Sequence, residues 1–417
     1  MVFVYDLAFI LFSIFYLPYL LLKRKAHKHF WTRFGFLDTQ GLGLQEKKRI
    51  WVHAVSVGEV RVVKGLLTKL RGAYPQHQIV LSVVTQTGFK TACAMVERGD
   101  VVIYAPVDLS FAVRRYLDII NPSVYINAET ELWPNLLTEL KRRAVVVIQV
   151  NGRISDGAFG RYQFFKGLLS HVLNSVDLFC MQSETDARRV KALGAAEAKI
   201  MVTGNMKFDD LPAADGPRLP SALTAAPGPL FIAGSTHPGE EAIILDIVKA
   251  IGGRFPALGL MIAPRHPERA LEVMDLCARR GFRAVRFSKM NKPLDPGEVL
   301  VVDTIGHLRS LFALAQIVFL GKSLRVGGGH NVIEPAYFGK PVLVGPLMQN
   351  FRDIMKLFQQ EDAIVQVKDK TQLQTMIIKL LEDEPLRRGF GERALAVIAK
   401  NKGATEKTFA AISQLIG

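Results

Sequence analysis

The sequence predicts an α/β protein built from two doubly wound, Rossmann-like halves with a cleft between them. From Ile50 onward, short apolar strands alternate with amphipathic helices, the pattern of parallel sheets covered by helices. The alternation breaks once, at 209–228, a stretch rich in Pro, Ala and small residues, and then resumes. A chain of 417 residues also exceeds one ordinary core, which suggests about two or three domains. The expected boundaries are a membrane anchor at 1–22, a first domain at 23–208, a linker at 209–228 and a second domain with terminal helices at 229–417.

Val2 to Leu22 is apolar and aromatic, interrupted by Asp6, Ser13 and Pro18, and Lys23, Arg24, Lys25, His27, Lys28 and His29 follow it. About 20 apolar residues suffice to cross a bilayer. No basic stretch precedes the run and no small-residue cleavage pattern follows it, so a retained anchor is expected rather than a removed signal peptide. The positive-inside rule then places everything after Lys23 in the cytoplasm. A buried or interfacial helix is the competing reading. Trp31, Arg33 and Phe34 continue an aromatic and basic character suited to lipid headgroups.

In the first half, strands are expected near 50–54, 78–85, 101–105, 124–128, 145–150, 178–182 and 199–203, with helices between them such as 59–71, 132–143 and 185–193. In the second half, strands are expected near 230–234, 258–263, 299–302, 317–320, 341–344 and 364–367, and the chain is helical from about 370 to its end. Doubly wound sheets bind ligands at the carboxyl ends of their strands, so the residues just beyond each strand are the candidates for chemistry.

The first strand delivers Val55-Ser56-Val57-Gly58-Glu59, with Glu59 opening a helix. A carboxylate held ionised by the helix dipole suits a general base; the competing reading is an ordinary helix cap. His53, inside the strand, reads as a packed histidine. The fourth strand ends in Glu129-Thr130-Glu131-Leu132-Trp133-Pro134. Glu129 and Glu131 either bind acceptor hydroxyls, orient cationic neighbours or cap the following helix. No Asp-x-Asp pattern suggests a nucleotide-bound Mg²⁺, so chemistry without metal or cofactor is expected. Lys207, after the Thr203-Gly204-Asn205 turn, is a candidate cleft cation or a solvated lysine.

In the second half, Gly234 and Ser235 present an amide and a hydroxyl to an anion, and Arg265, just past its strand, offers a guanidinium to a phosphate beside His266. Arg269 reads as paired with a surface carboxylate. The stretch from Ser323 to Pro346 carries three consecutive glycines, Gly327, Gly328 and Gly329, then a helix expected to open at His330-Asn331 and holding Glu334. Free amides and a helix N-terminus favour a phosphate, and Glu334 is placed to meet a ribose diol. A sugar nucleotide fits this arrangement. The competing reading is a plain turn with a capping Asn331 and a solvated Glu334.

The formal charge of +15 demands an anionic partner or surface, and nucleic acid, anionic lipid and phosphorylated substrate all satisfy it. Cys93, Cys180 and Cys277 are widely spaced in segments that read as buried, so neither a disulfide framework nor a zinc site is expected, and the compartment is a reducing one.

The motifs HAVSVGEV, ETELWPN, GNMKFD, STHPGEE, APRHPER and GGHNVIEPA, in that order behind an apolar N-terminus, resemble the 3-deoxy-D-manno-octulosonic acid (Kdo) transferases of lipopolysaccharide synthesis. The resemblance runs to about Asp353. It implies a GT-B fold and an inverting, metal-independent glycosyl transfer from CMP-Kdo to a lipid A precursor. It also implies a site at the cytoplasmic face of the bacterial inner membrane, with an anionic membrane surface as a partner. Glu59 matches the family's base; Arg265, Asn331 and Glu334 match its donor-site positions; Ser235 and Gly329 lie in matching motifs. His307 stands where the family pattern has an acidic residue, while the neighbouring Gly306 amide stays available to the donor. The Leu324-Arg325-Val326 loop lacks a Glu often found there.

Two other functions use the same features. A nucleotide-sugar epimerase of this architecture needs neither anchor nor acceptor. A basic, membrane-tethered nucleic-acid-binding protein accounts for the charge, but the chain has no recognition-helix motif or aromatic-basic stacking surface, so no nucleic-acid partner is expected.

Overall fold

The computed structural model describes residues 5–7, 9–11, 31–37, 42, 48–210, 219–220, 223 and 228–416. The chain divides into two compact units, Met1–Asp210 together with Lys402–Gly417, and Leu211–Asn401.

The first unit holds seven strands: β1 (Arg49–His53), β2 (Gln78–Val83), β3 (Val101–Tyr104), β4 (Val124–Ala128), β5 (Val146–Gly152), β6 (Leu178–Met181) and β7 (Ile200–Val202). They form one parallel sheet in the order β3-β2-β1-β4-β5-β6-β7. Helices on both sides of a parallel sheet bury its strands on both faces, so β1 reads RIWVH with every residue buried. Its alternation still shows. Trp51 joins one core with Tyr116, Tyr125 and Phe179, while Ile50 and Val52 join the other with Leu66, Ile79 and Ile126. The helix Val57–Ala73 packs on that second face through Val60, Val63, Leu67 and Leu70, spaced three or four apart.

The second unit holds β8 (Leu230–Thr236), β9 (Gly259–Pro264), β10 (Arg283–Arg286), β11 (Glu298–Val301), β12 (Ile317–Leu320), β13 (Val342–Val344) and β14 (Val365–Gln366). This sheet is also wholly parallel, in the order β10-β11-β9-β8-β12-β13-β14. All the expected strands form. β10 was not among them, because an edge strand paired on one side only carries the sequence RAVR, with Arg283 exposed and no residue fully buried, and so lacks an apolar signature. Cys93 corrects a second expectation. It ends the helix Gln86–Cys93 with Ala92 turned inward, and the thiol is exposed, whereas Cys180 and Cys277 are buried.

The terminal helix Ala404–Ile416 belongs to the first unit, which corrects the expectation that 229–417 forms a single domain. Ala404 and Ile412 enter the core that contains Ile50 and Leu66. The Asp209 carboxylate accepts from the Gly403 N–H at 2.8 Å and from the Thr405 N–H at 2.6 Å, and Thr408 Oγ1 donates to Thr203 Oγ1 at 3.0 Å. The helix therefore takes its N-terminal acceptor from a residue distant in sequence. The expected linker at 209–228 falls largely outside the described residues.

Most of the expected anchor at 1–22 also lies outside them. Among the described residues no helix is long and apolar enough to cross a membrane. Residues 5–7 and 9–11 are helical and dock on the first unit. Asp6 Oδ1 accepts from the Ser110 N–H at 3.1 Å and from Asn135 Nδ2 at 2.7 Å, and Phe9 packs on Val107, Leu109 and Ala112. Arg33 and Phe34, expected at headgroups, turn inward instead. Arg33 Nε donates to the Ala105 carbonyl at 2.9 Å, and Phe34 joins the cluster around Phe9. Trp31 remains 60% exposed.

Replacing Asp209 by Ala strips two helix amides of their acceptor and is expected to cost about 1–2 kcal/mol. A urea unfolding curve should show a lower midpoint with an unchanged slope; an unchanged midpoint would mean that water replaces the carboxylate without penalty.

Candidate functional site

Each parallel sheet reverses its winding once. In the first the reversal lies between β1 and β4, and in the second between β8 and β12. At such a point the loops leaving two neighbouring strands run to opposite faces, which opens a crevice beyond the strand ends. The candidate residues after β1 and β4 (Glu59, Glu129 and Glu131) lie at the first reversal. Those after β8 and β12 (Ser235 and the Gly-rich stretch) lie at the second.

Glu59 sits in the first turn of Val57–Ala73. Its Oε2 accepts from the Val55 N–H at 2.7 Å and its Oε1 from Ser56 Oγ at 3.2 Å, so the capping interaction is present. The expected ionised state is not. Burial, followed by the nearby Glu129 and then Glu131, pushes its pKa up from 4.5 to about 7 against the bonds that favour the anion. Glu129 is a non-glycine residue in the left-handed region, φ 56°, pinned by its N–H to the Val150 carbonyl at 3.0 Å and by Gln149 Nε2 on its own carbonyl. Its carboxylate pairs with Lys207 Nζ at 2.7 Å, so two separately chosen candidates meet. Glu131 accepts from Trp133 Nε1 at 2.7 Å, and its carbonyl accepts from the buried Asn127 Nδ2 at 2.7 Å. Burial also raises the Glu131 carboxyl pKa. Neither carboxylate is recorded capping the helix Pro134–Arg142, whose Asn135 and Leu136 N–H groups are accepted by Asp108. His53 is buried, with Nδ1 at 2.8 Å from Ser82 Oγ and its pKa pushed down to about 3, as a packed histidine should be.

In the second unit the Gly-rich stretch is held by a carboxylate that sequence reasoning passed over. Glu240, fully buried, accepts four backbone N–H groups: His237 at 3.0 Å and Lys322 at 2.7 Å on Oε2, and Ser323 and Leu324, both at 3.0 Å, on Oε1. It fastens the loop after β12 to the loop after β8. A Cβ on Gly321 would stand 2.5 Å from the Ser235 carbonyl and 2.6 Å from Glu240 Oε2, so only glycine permits this approach. The acidic residue four places beyond a strand was the available signal.

The glycine amides do not stand open to a phosphate as expected. Gly328 N–H donates to the Leu347 carbonyl at 3.0 Å and to Gln349 Oε1 at 2.9 Å, and Gly329 N–H to the Lys322 carbonyl at 2.9 Å. The loop's positive φ angles and its contact with Met348 account for these glycines. The following helix is only Ile333–Ala336, with His330 and Asn331 in the loop before it, and Asn331 Oδ1 accepts from the Ile333 N–H at 3.2 Å. Glu334 lies 3.8 Å from Arg309. Gly306, φ 93°, precedes His307, whose ring packs 5.0 Å from that of Phe287.

Cationic side chains, rather than amides, gather at this end of the sheet. The His330 pKa is pushed down to about 3 by burial and then by the charges of Arg265, His237, Lys322 and His266, and the His237 ring lies 5.6 Å from that of His330. Arg265 is exposed, and its N–H donates to the Thr236 carbonyl at 3.0 Å, which ties the end of β9 to that of β8. Ser235 adopts φ 54° beside them. Arg269 does find a surface carboxylate, Glu272 at 2.8 Å, but it also meets the buried Glu241 at 2.8 Å.

With this geometry in place, the comparisons identify the chain. Residues 28–210 match the family model described as 3-Deoxy-D-manno-octulosonic-acid transferase (kdotransferase), and residues 297–397 match that of glycosyl transferases group 1. The 3-deoxy-D-manno-octulosonic acid transferase of Haemophilus influenzae is 33% identical over 86% of this chain and 85% of its own length. The chain belongs to the Kdo transferase family. The transferase of Chlamydophila psittaci is 28% identical over 99% of this chain and 96% of its own. Among solved structures, the UDP-GlcNAc 2-epimerase of Neisseria meningitidis has a TM-score of 0.58 at 11% identity and covers 88% of this chain and 99% of its own. That likeness shows a shared fold alone. Two parallel α/β units of GT-B type and a Kdo glycosyltransferase family are therefore established together.

The raised Glu59 pKa has a consequence for stability. A folded-state pKa near 7, above the unfolded 4.5, means that folding favours the protonated form. That stabilisation is complete below about pH 4.5 and is lost as pH rises through 7. Glu59→Gln removes the titrating group. Relative to the native chain, its stability should rise by roughly 2–3 kcal/mol between pH 5 and pH 8. Parallel denaturation curves at the two pH values check this, and a constant difference would contradict it.

Proposed function

We propose that the protein transfers Kdo from CMP-Kdo to a hydroxyl of a lipid A precursor, with inversion at the anomeric carbon and without metal. The observation that carries this reading is Glu59, a partly buried carboxyl with pKa near 7 at the winding reversal of the first sheet. A base of that strength is half ionised at neutral pH and still able to take a proton from an alcohol in the transition state. In the proposed step Glu59 removes the acceptor hydroxyl proton as the oxygen attacks the anomeric carbon, and the bond to the CMP phosphate breaks with its electron pair leaving on the phosphate. Lys207, paired to Glu129, and the Glu131 carboxyl hold the acceptor hydroxyls.

The donor belongs to the second unit. Arg265 and Lys322 supply positive charge, and His266 and His330 hydrogen-bond donors, to the phosphate and to the sugar carboxylate, a role that Mg²⁺ plays in other nucleotide-sugar enzymes. Ser235, Gly306, Asn331 and Glu334 complete that site, with Glu334 at the ribose. Gly328 and Gly329 shape the loop that carries His330.

The reaction takes place at the inner membrane's cytoplasmic face. A charge of +15 draws the chain to an anionic leaflet, and residues 1–22 attach it there.

Glu59→Gln should lower kcat by at least 100-fold while CMP affinity stays unchanged, and native kcat/KM should fall as pH drops below 7. Turnover above a tenth of native would remove Glu59 from the base role. Deleting residues 1–22 should reduce transfer to bilayer-embedded acceptor more than to detergent-dispersed acceptor. Equal losses would argue against membrane delivery of the acceptor.

A further inference from the structure

His237 plays no part in the reading above, yet it lies at the centre of the cationic cluster. It sits between the end of β8 and the helix Glu240–Ile251, with its N–H fixed on Glu240. Its ring stacks on that of His330, with centroids 5.6 Å apart and planes within 24°, and the His266 ring stands edge-on to it at 6.2 Å. Nε2 of His237 and Nε2 of His330 are both buried and have no hydrogen-bond partner among the described residues. Two orphaned ring nitrogens on stacked imidazoles, in loops drawn together by Glu240, are an arrangement a protein does not ordinarily leave unsatisfied.

The surrounding charge indicates what satisfies them. Lys322 approaches from the loop after β12, and Arg265 and His266 from the loop after β9. Arg325 comes within 3.6 Å of the position a Cβ on Gly239 would take. The acidic groups nearby are Glu240 and Glu241, and Glu268 stands 3.6 Å from His266 Nδ1. Glu240 is already committed to four amides, and Glu241 to Arg269 and Thr236. Burial and these cations hold both imidazoles below their ordinary pKa, so each is neutral near pH 7. An oxyanion brought against them reverses that balance, because it favours the charged ring and accepts its proton in a hydrogen bond.

We propose that His237 and His330 form a paired-imidazole subsite that binds an oxyanion of the donor and takes up a proton from solvent as it binds. The inference rests on the second unit being the donor site. The proton adds to one imidazole of the pair to give an imidazolium, and the oxyanion stays ionised. Phosphate and sugar carboxylate share this chemistry, and the two are separable by experiment.

The test uses the full-length chain as the native protein, His237→Gln and His330→Gln, titrated calorimetrically with CMP and with uncharged cytidine. Titrations run from pH 6 to 8.5, in buffers of differing ionisation enthalpy. If the phosphate is the ligand, native CMP binding takes up protons and weakens by up to about tenfold per pH unit. Both variants then lose at least tenfold in CMP affinity together with the proton uptake, and cytidine binding is untouched. If the carboxylate is the ligand, CMP binding is unchanged in all three proteins, while the KM for CMP-Kdo rises at least tenfold in both variants at preserved kcat and becomes pH-independent. Unchanged CMP affinity together with unchanged CMP-Kdo KM overturns the inference, as does donor binding without proton exchange. A native chain that neither binds CMP nor transfers Kdo refutes the donor-site reading instead, and matching thermal melts separate both results from misfolding.

Discussion

The single reversal of winding in each sheet is the constraint on which the rest of the structure depends. A parallel strand reaches its neighbour only through a crossover connection, usually a helix, and where the direction of winding changes, two adjacent crossovers depart to opposite faces. Nothing then covers the strand ends between them. The backbone at those ends has lost its ladder partners, and polar side chains must take over. Glu240 does so for four N–H groups after β8 and β12; Glu59 does so for Val55 after β1. The candidate chemistry is concentrated where topology leaves the backbone in need of partners.

The two reversals solve this electrostatically in opposite ways. At the first, three carboxyls share a partly buried region with one lysine, and Lys207 is spent on Glu129. The remaining two carboxyls are driven toward neutrality by burial first and by the neighbouring carboxylates second. At the second, Glu240 is taken up by four amides and Glu241 pairs with Arg269, and the neighbouring imidazoles are held neutral by burial and then by surplus cations. In the proposed reaction the first crevice accepts a proton and the second accepts an anion. A group transfer from a phosphate to an alcohol requires both.

Much of the fold was legible because parallel strands buried on both faces are short, continuous apolar runs bounded by turn residues, and IWVH or IVFL announce themselves. β10 was not, because pairing along one edge leaves RAVR half solvated. The site was legible as positions rather than as interactions. Glu129 and Lys207 were both recognisable at strand or turn ends, but their ion pair spans 78 residues of sequence and only the sheet order creates it. The glycines misled in the same way. A run of three signals unhindered amides, yet whether those amides are spent on Leu347 and Lys322 or left for a ligand is decided by which loop packs over them. Asp209 and the terminal helix show the limit of reading along the chain, since a helix contiguous with the second half caps itself on the end of the first.

Glu59 shows why position alone also misjudged protonation. A carboxylate in the first turn of a helix gains about 0.3–1 kcal/mol from the dipole when exposed, and that gain argued for a permanently ionised group. Moving the carboxyl from 4.5 to about 7 corresponds to roughly 3 kcal/mol in favour of the neutral form. Burial and two neighbouring acids therefore outweigh the helix end together with both of its hydrogen bonds. The larger effect is burial, and the residues that β4 delivers add to it; neither is visible from the spacing around Glu59 itself. For the proposed base role this is an advantage, because a carboxylate of pKa 4.5 has little affinity for an alcohol proton, whereas one poised near 7 gains affinity while about half of it stays ionised at neutral pH.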